Sequence, residues 1–319
     1  MTAKREHILI IRLGALGDLV FCFQSFHEIR HAHPDAEIAI LTRAPFAAFA
    51  HSLPWFDRVI IDTHPTFATP LAWARLRREI ADFAPIRVYD LQGKRRQTIL
   101  YALLGGPFGP AWSGAAPLCK FSRPWPPAPE MSFVDFLAAQ LRAASVPATP
   151  PPDLAWLDAP IEKFALPPRY AVLIPGCSPN APHKRWPAEK YAAAARRLHA
   201  EHLPCVIVGT ASEAEVAAAI KKDAPDIIDL CGKTSLFELA GILRCAAGVI
   251  GNDTGPMHLA AALNTPTLAL FSGKTNSVWS KPPGAHGAWR QSKTLSDLST
   301  DDVISAFALT LQHAKDKSR

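Results

Sequence analysis

The clearest signal of fold class in the sequence is the stretch His7-Ile-Leu-Ile-Ile-Arg-Leu-Gly-Ala-Leu-Gly-Asp18. It begins with a continuous apolar run of strand length, and a turn with two glycines leads from that run into helical periodicity over residues 19–32. A strand that is apolar on both faces is covered on both faces, which is typical of a parallel sheet with crossover helices. The stretch therefore predicts the first strand, loop and helix of a Rossmann-like domain.

The same alternation of short apolar runs and helical segments continues along both halves of the chain. In the first half, strands are predicted at residues 36–41, 58–62 and 87–91, and a helix at residues 70–83. In the second half, strands are predicted at residues 170–175, 205–209, 227–230, 248–251 and 267–271, with helices at residues 187–202, 212–222, 236–244 and 256–263. The sequence therefore predicts an α/β protein with two Rossmann-like parallel-sheet domains facing a cleft.

Proline marks the boundary between the predicted domains. Of the 30 prolines, 18 lie between Pro107 and Pro187, and such stretches break helices and favour extended chain. A linker is predicted around residues 147–168, which divides the chain into an N-terminal domain of residues 1–155 and a second domain of residues 156–298. The final residues, 299–319, contain an amphipathic segment that is expected to form a helix packing back on the N-terminal domain.

Composition and charge limit the class of protein. Of the 319 residues, 49% are hydrophobic, which lets each half bury a core and excludes a disordered chain. No apolar run reaches the ~18 residues of a membrane span, and the first residues lack the apolar region of a secretory signal. Lys and Arg exceed Asp and Glu by 34 to 28, which favours an anionic partner. The six cysteines show no metal-binding spacing, so the sequence predicts no metal site and a cytoplasmic protein.

The loop after the first predicted strand carries Asp18 at a helix entrance. Its glycines, Gly14 and Gly17, are spaced GxxG and not GxGxxG, so a dinucleotide site is poorly supported. Two roles for Asp18 are open at this point. It can cap the helix by accepting hydrogen bonds from the first free amides, or it can act as a carboxylate base.

A second loop, residues 175–187, combines Ser178 with Lys184 and Arg185 ahead of a predicted helix. Hydroxyl, cations and a helix N-terminus together describe a cradle for an anion. The alternative is a proline-stiffened surface loop with a solvated Lys-Arg pair.

A third loop reads Gly251-Asn-Asp-Thr-Gly-Pro-Met-His258 and has the same design. The backbone amides of Thr254 and Gly255 can donate to a phosphate. Asp253 is expected either to accept from a sugar hydroxyl or to cap the helix. His258 can face the phosphate or be a buried histidine with its hydrogen bonds satisfied.

Two capping boxes of the S-x-x-E type are predicted in the second half, Ser212 with Glu215 and Ser235 with Glu238. These pairings make Glu215 and Glu238 structural residues. They leave Glu213 free to bind, for example, a ribose.

Several motifs occur together and in a fixed order. They are Ile10-Ile-Arg-Leu-Gly-Ala-Leu-Gly-Asp18, Asp90-Leu-Gln-Gly93, Ser132-Phe-Val-Asp135, Pro175-Gly-Cys-Ser178, Lys184-Arg-Trp-Pro187, Gly251-Asn-Asp-Thr-Gly-Pro-Met-His258 and Leu270-Phe-Ser-Gly-Lys-Thr-Asn276. In this combination the chain resembles the lipopolysaccharide heptosyltransferase family, the family 9 glycosyltransferases of GT-B fold. The Asp-Thr-Gly-Pro-x-His element is the most specific part of the resemblance, which spans nearly the whole chain.

The resemblance implies an acceptor-binding N-terminal domain and a donor-binding C-terminal domain. It implies an inverting enzyme that moves a heptose from ADP-heptose to the lipopolysaccharide inner core, on a lipid A-Kdo or heptose acceptor, with no metal and no cofactor besides the ADP-sugar co-substrate. By motif, Asp18 is the expected base. The expected donor contacts are Ser178, Lys184, Glu213, Asp253, Thr254, Gly255 and His258.

The first half also holds a basic and aromatic cluster that can meet an anionic glycolipid acceptor. Its members are Lys94, Arg95, Arg96, Lys120 and Arg123, with Trp112, Phe121 and Trp125 nearby. Peripheral contact with the cytoplasmic face of the inner membrane is one interpretation of this cluster. A solvated charged face over a partly buried aromatic cluster is the other.

Three further functions compete with this interpretation. The chain can be a family member that uses another sugar donor or acceptor, or a nucleotide-sugar-binding protein without turnover. A nucleic-acid-binding protein is suggested only by the basic charge, and no recognised nucleic-acid module is present in the sequence.

Overall fold

A computed structural model of the chain describes residues 5–66, 68–123, 126–178 and 180–317. The chain divides into two compact units, Met1–Pro152 and Asp153–Arg319. The division falls inside the proline-rich segment that the sequence analysis assigned to a linker, where we placed the boundary after residue 155.

The first unit is a six-stranded parallel sheet with helices on both faces. Its strands are β1 (His7–Ile11), β2 (Glu37–Arg43), β3 (Arg58–Asp62), β4 (Arg87–Asp90), β5 (Ala111–Gly114) and β6 (Phe121–Ser122). Its helices are α1 (Leu16–Val20), α2 (Phe23–Ala32), α3 (Ala44–Ser52), α4 (Pro70–Phe83), α5 (Arg95–Leu103) and α6 (Phe133–Ala143). The strand order is β3-β2-β1-β4-β5-β6.

The second unit repeats this design. Its strands are β7 (Ala171–Ile174), β8 (Cys205–Ile207), β9 (Ile228–Asp229), β10 (Gly248–Asn252), β11 (Thr267–Ser272) and β12 (Gly287–Ser292). Its helices are α7 (Ala188–Ala200), α8 (Ala214–Asp223), α9 (Leu236–Cys245), α10 (Gly255–Ala262) and α11 (Thr300–Lys317). The strand order is β12-β11-β10-β7-β8-β9, which is the order of the first sheet when β7 is counted as the first strand.

This strand order places a topological switch point in each sheet. The switch lies between β1 and β4 in the first unit and between β7 and β10 in the second, where parallel neighbours pair directly. The loops that leave these two strands run to opposite faces of the sheet, and ligands of doubly wound folds bind in the crevice between such loops. The loops after β1, β4, β7 and β10 are therefore the places to look for chemistry.

The central strands are buried on both faces, as the apolar runs predict. Ile8, Leu9, Ile10 and Ile11 of β1 have no exposed surface, because α-helices cover both sides of the sheet. The predicted fold class, an α/β protein with two Rossmann-like parallel sheets, is confirmed.

Six elements had no counterpart among the predicted segments: α3, α5, β5, β6, α6 and β12. The α6 helix lies in the proline-rich region but occupies the proline-free window between Pro129 and Pro147. Ser132 caps it by accepting a hydrogen bond from the backbone N–H of Asp135 at 3.2 Å. The β6 strand has only two residues, and β12 is a partly exposed edge strand, so neither has the apolar pattern of a buried strand.

The last helix, α11, packs within the second unit against α7 and strands β10, β11 and β12. Phe307 is almost fully buried there, and a Cβ added at Gly248 would lie 2.7 Å from its ring. The glycine at the start of β10 therefore lets the helix lie close to the sheet. The expected packing of residues 299–319 on the N-terminal domain stays a prediction.

Among the residues that the structure describes, no helix combines the length and the apolar character that crossing a bilayer requires.

Candidate functional site

The loop after β1 is organised by a buried arginine, Arg12. Its guanidinium donates to the backbone oxygen of Leu91 at 2.6 Å and forms an ion pair with Asp18 at 2.9 Å. It also stacks on the ring of Phe133, with 4.9 Å between the guanidinium carbon and the ring centroid. Arg12 thus ties the loops after β1 and β4 and helix α6 to one another at the switch point.

Asp18 is the third residue of α1 and keeps 41% of its side chain exposed. Its Oδ2 accepts a hydrogen bond from the backbone N–H of Ala15 at 3.0 Å, while Oδ1 pairs with Arg12. The capping contact considered from the sequence therefore exists, although the N-cap position itself is Ala15. A carboxylate has about four acceptor positions, so the described contacts leave room for a substrate hydroxyl.

The loop after β4 contains a second carboxyl group, Asp90, which is only 1% exposed. Its Oδ1 accepts from the backbone N–H groups of Gln92 at 3.0 Å and Gly93 at 2.8 Å. Burial raises the pKa of Asp90 to about 6, while the Gly93 hydrogen bond and the charge of Arg123 oppose the rise. The side chain of Gln92 in turn accepts from the backbone N–H of Leu13 at 3.0 Å, which links the two loops again.

The raised pKa of Asp90 predicts a pH dependence of stability. Because the folded-state pKa of about 6 lies above the ordinary value of 3.8, the free energy of unfolding falls as the pH rises between these values. Asp90→Asn keeps an oxygen for both N–H groups and removes the charge. Denaturant titrations at a series of pH values should show the variant gaining stability over the native protein across this interval. A constant difference between the two proteins would contradict the assignment.

The predicted acceptor cations are not equivalent in the structure. Lys94 and Arg95 are exposed at the start of α5, whereas Arg96 binds both carboxylate oxygens of the buried Asp62 and stacks on Trp73 at 4.9 Å. Trp112 is 1% exposed and belongs to the core of the first unit. Trp125 lies outside the described residues. A role of the three basic residues in acceptor binding stays a prediction.

In the second unit, Asp253 joins the loops after β7 and β10. Its Oδ2 lies 2.5 Å from Nζ of Lys184, and its Oδ1 lies 3.0 Å from Nε2 of His258. Burial alone would raise the pKa of Asp253, but the hydrogen bonds from His258 and Lys184 outweigh it and hold the pKa below its ordinary value. Asp253 is therefore an ionised residue that positions Lys184, and its negative charge is compensated.

Asn252, which the sequence analysis did not select, holds the loop after β7 in place. Its Nδ2 donates to the backbone oxygens of Pro175 at 2.8 Å and Gly176 at 3.3 Å. Its Oδ1 accepts from the backbone N–H of Trp186 and the hydroxyl of Tyr191, both at 3.1 Å. The sequence signal for this role was the position of Asn252, a polar residue at the end of the buried strand β10. The side chain fixes both ends of the loop that carries Lys184.

Replacing Asn252 with alanine is expected to lower the free energy of unfolding of the second unit by about 2–4 kcal/mol. The reason is that each buried partner left without a hydrogen bond costs about 1–3 kcal/mol. Denaturant unfolding measures the loss. The control is Asn276→Ala, because Asn276 is exposed and accepts from the backbone N–H of Trp279 in a turn. Equal losses in the two variants would show that Asn252 is not a special support.

Four of the remaining predicted donor contacts lie in the loop after β7 or at the start of α10. Thr254 is the N-cap residue of α10, Gly255 is its first residue, and both are half-buried. His258 is buried, and its Nε2 lies 3.0 Å from Oδ1 of Asp253. Ser178 is exposed in the loop that carries Lys184. Whether each contacts a donor stays a prediction.

The prediction for Glu213 was wrong in one respect. The capping box before α8 is formed by Thr210 and Glu213, with the Thr210 N–H donating to Glu213 Oε2 at 2.7 Å. The sequence analysis had assigned capping to Ser212 and Glu215. Thr210 has the extended backbone of an N-cap and lies two residues before Ser212, so Glu213 and not Glu215 reaches back. The box of Ser235 and Glu238 is confirmed.

Glu213 also lies against the loop after β7. A Cβ added at Gly176 would be 2.6 Å from its Cγ, so the glycine makes room for this side chain. Donor binding by Glu213 stays a prediction. Within the described part of the chain, no group of three or more His, Cys, Asp or Glu side chains is placed to hold a metal ion.

The chain matches a protein-family model over its second half. The model described as "Glycosyltransferase family 9 (heptosyltransferase)" matches residues 129–300, more than half of the chain. This range contains the loops after β7 and β10.

Curated proteins give shorter matches. Lipooligosaccharide heptosyltransferase 2 of Haemophilus influenzae is 34% identical over 106 residues, which are 32% of this chain and 30% of that protein. The chain thus matches about a third of the length of the curated relatives found first.

Solved structures match over nearly the whole chain. ADP-heptose lps heptosyltransferase II of E. coli has a TM-score of 0.73 at 20% identity and covers 97% of this chain and 99% of its own. E. coli heptosyltransferase WaaC, solved with ADP, has a TM-score of 0.74 at 19% identity and covers 95% and 99%. At this level of identity the likeness shows the fold.

Proposed function

Because this chain belongs to glycosyltransferase family 9, we propose that it is a heptosyltransferase acting on the inner core of lipopolysaccharide. The donor is ADP-heptose, and the acceptor is a lipid A-Kdo or a heptose of the core. The transfer inverts the anomeric carbon and uses neither a metal ion nor a further cofactor. The observation that carries the proposal is the Lys184–Asp253–His258 group in the matched range, held at the switch point by Asn252.

The second unit binds the diphosphate of the donor in this proposal. Lys184 supplies a positive charge, and the first amides of α10, at Thr254 and Gly255, supply the positive end of a helix dipole. The ion pair with Lys184 offsets the negative charge of Asp253 and so limits its repulsion of the diphosphate. The same cation and amides stabilise the charge that develops on the departing diphosphate.

Asp18 of the first unit is the proposed general base. A sugar hydroxyl is a poor nucleophile, and a carboxylate that removes its proton during attack accelerates such reactions by about 10²–10⁴-fold. Arg12 and the Ala15 N–H hold Asp18 in one orientation. Inversion requires the base on the face of the sugar opposite the leaving diphosphate. The first unit supplies that base and the second supplies the diphosphate contacts.

The remaining donor and acceptor contacts follow from exposure and chemistry. Ser178 and Glu213 are the proposed hydroxyl and ribose contacts of the donor. Lys94 and Arg95 are exposed and are proposed to bind the anionic glycolipid. Arg96 is proposed to add positive charge beside them while it stays paired with Asp62. We place the enzyme in the cytoplasm, in peripheral contact with the inner membrane that carries its acceptor, and assign it no nucleic-acid partner.

A panel of nucleotide-sugars tests this function. ADP-heptose, ADP-glucose, GDP-mannose and UDP-glucose are titrated into the protein by calorimetry and then offered with lipid A-Kdo or heptosylated core as acceptor, with and without EDTA. The expected result is binding and transfer of heptose from ADP-heptose, unchanged by EDTA. Transfer of a different sugar would replace the donor in the proposal, and binding without transfer to either acceptor would favour a nucleotide-sugar-binding protein.

A further inference from the structure

The segment of residues 270–276 follows the end of β11, and the proposed function assigns it no role. It contains a tight turn in which the backbone N–H of Thr275 donates to the backbone oxygen of Ser272 at 2.9 Å. Gly273 and Lys274 form the tip of this turn, and both are exposed. Because β11 pairs with β10 as a parallel neighbour, the turn lies at the same edge of the sheet as the loop after β10.

The turn also lies on the side of the sheet where the loop after β7 carries Lys184. Strand β11 contacts the short turn Pro182–Lys184 of that loop. Leu270 pairs with Asn252, so both side chains point to one face of the sheet, and Ser272 points to that face as well. On this face Asn252 binds both ends of the loop that carries Lys184. Ser272 and Lys184 are therefore neighbours at one edge of the second unit.

The backbone of the turn is held by the strand beside it. Nε2 of Gln291, in β12, donates to the backbone oxygens of Ser272 at 3.1 Å and Thr275 at 2.7 Å. The Gly273 N–H donates to the backbone oxygen of Lys293 at 3.3 Å, and a Cβ added at Gly273 would lie 3.1 Å from that oxygen. The glycine permits this close approach, so the turn is fixed before any ligand arrives.

Two hydroxyl groups of the turn have hydrogen-bonding capacity that the protein does not use. Ser272 is only 2% exposed. Among the residues that the structure describes, neither its Oγ nor the buried Oγ1 of Thr275 has a hydrogen-bond partner. Buried polar atoms without partners are rare and cost stability. A polar ligand that reaches the turn, directly or through an ordered water, would supply the missing hydrogen bonds.

The charge of this part of the chain favours an anion. No Asp or Glu occurs between Asp253 and Asp297, whereas the same stretch contains the cations Lys274, Lys281, Arg290 and Lys293. Of these four cations, Lys274 is the one at the tip of the turn after β11.

The ion pair of Lys184 with Asp253 makes a further cation necessary. Nζ of Lys184 lies 2.5 Å from Oδ2 of Asp253, so much of its positive charge is offset before a ligand binds. A diphosphate carries more than one negative charge, and the amides at the start of α10 contribute only the partial charge of a helix dipole. The ammonium of Lys274 is a full charge without such an offset in its own stretch of the chain.

We propose that Lys274 binds the diphosphate of the donor as the second cation of this site, from the turn after β11. The inference rests on the proposed function, because it takes the donor to be a nucleoside diphosphate sugar. It adds a third loop to the donor site and a residue that contacts the leaving group.

The test measures binding of ADP, inorganic diphosphate and adenosine to the full chain by calorimetry. Native protein is compared with Lys274→Met, which removes the charge, and with Lys274→Arg, which keeps it. The matched control is Lys281→Met. Lys281 is also exposed and lies in the same connection between β11 and β12, but it precedes Pro282, which packs on Gly287 at the amino end of β12. Thermal unfolding verifies that each variant is folded.

Lys274→Met is expected to weaken binding of ADP and of inorganic diphosphate by about tenfold, the low end for a hydrogen bond to a charged group, because Lys274 is exposed. Adenosine, which has no phosphate, should bind this variant and native protein equally. Lys274→Arg and Lys281→Met should bind ADP as native protein does. Native-like ADP affinity in Lys274→Met, or an equal loss in Lys281→Met, would overturn the inference.

Failure of the inference and failure of the proposed function are separable. Heptose transfer by native protein together with native-like ADP affinity in Lys274→Met removes only the inference. Binding of inorganic diphosphate that depends on Lys274, in a protein that transfers no heptose, supports the inference and removes the assignment of the sugar.

Discussion

Asp18→Asn is expected to slow heptose transfer by about 10²–10⁴-fold, the range of general-base effects, while affinity for ADP-heptose stays at the native value. The amide is nearly isosteric and its oxygen can still accept from the Ala15 N–H, but it cannot take a proton from the attacking hydroxyl. The donor contacts lie in the second unit, so their affinity should not change. Single-turnover kinetics and donor titration measure the two quantities.

Asp57→Asn is the matched control for Asp18→Asn. Asp57 also pairs with arginines, Arg5 and Arg30, and accepts from a backbone N–H, that of Ile38 at 2.8 Å. It precedes β3 and so lies at the amino edge of the same sheet. The control variant should keep native transfer rates even if it loses stability. Equal transfer by Asp18→Asn and native protein would remove Asp18 from the role of base.

Lys184→Met should weaken ADP-heptose binding by about ten- to a hundredfold. The methionine fills a similar volume without the charge, and a hydrogen bond to a charged group contributes about 1.5–3 kcal/mol, or about tenfold per 1.4 kcal/mol. Among the residues that the structure describes, Lys184 and His258 are the two side chains that bind Asp253, so the loss of Lys184 leaves Asp253 bound to His258. Uncompensated negative charge beside the diphosphate adds to the loss. Calorimetric titration with ADP-heptose and with ADP measures the effect.

A second lysine of the same unit controls for the loss of an ion pair. Nζ of Lys163 lies 2.5 Å from a carboxylate oxygen of Glu238, the same distance as between Lys184 and Asp253. Glu238 belongs to the first turn of α9, and neither it nor Lys163 lies in the two loops of the site. Lys163→Met is expected to bind ADP-heptose as tightly as native protein. Similar affinities in Lys184→Met and Lys163→Met would show that Lys184 does not contact the donor.

The fold class was predictable from strand β1, because its sequence shows that both of its faces are buried. β1 reads as a continuous apolar run, and that run alone indicates a parallel sheet covered on both faces. β6 and β12 carry no such signal, because β6 has only two residues and β12 is partly exposed along its length. α6 was obscured by the prolines that flank it, since the composition of the whole region outweighed the short proline-free window inside it.

The loops of the site were predictable, but not the pairing within them. Ligand loops follow the carboxyl ends of parallel strands, so Asp18, Lys184 and Asp253 could be selected from the sequence. Lys184 and Asp253 form an ion pair although they are 69 positions apart in the sequence, so no local sequence pattern predicts the pair. Arg12 and Asn252 were missed for the same reason, because their roles depend on backbone oxygens from distant loops.

The error at Glu213 shows a different limit. Thr210 and Ser212 are both acceptable N-cap residues, and each has a glutamate three positions later. The choice between them depends on where the chain leaves β8, and a shift of two residues changes which carboxylate is engaged. The resemblance to family 9 is confirmed by the family match, whereas the donor and acceptor contacts of individual residues stay predictions.

The product of a single reaction shows whether an acceptor hydroxyl displaces the diphosphate directly. Native protein is incubated with ADP-heptose and lipid A-Kdo in the presence of EDTA, and the glycolipid is examined by mass spectrometry and by NMR of the new anomeric centre. One added heptose with the configuration inverted relative to the donor is the expected result. An unmodified glycolipid, or a heptose attached with retained configuration, would contradict a direct displacement by an acceptor hydroxyl that Asp18 deprotonates.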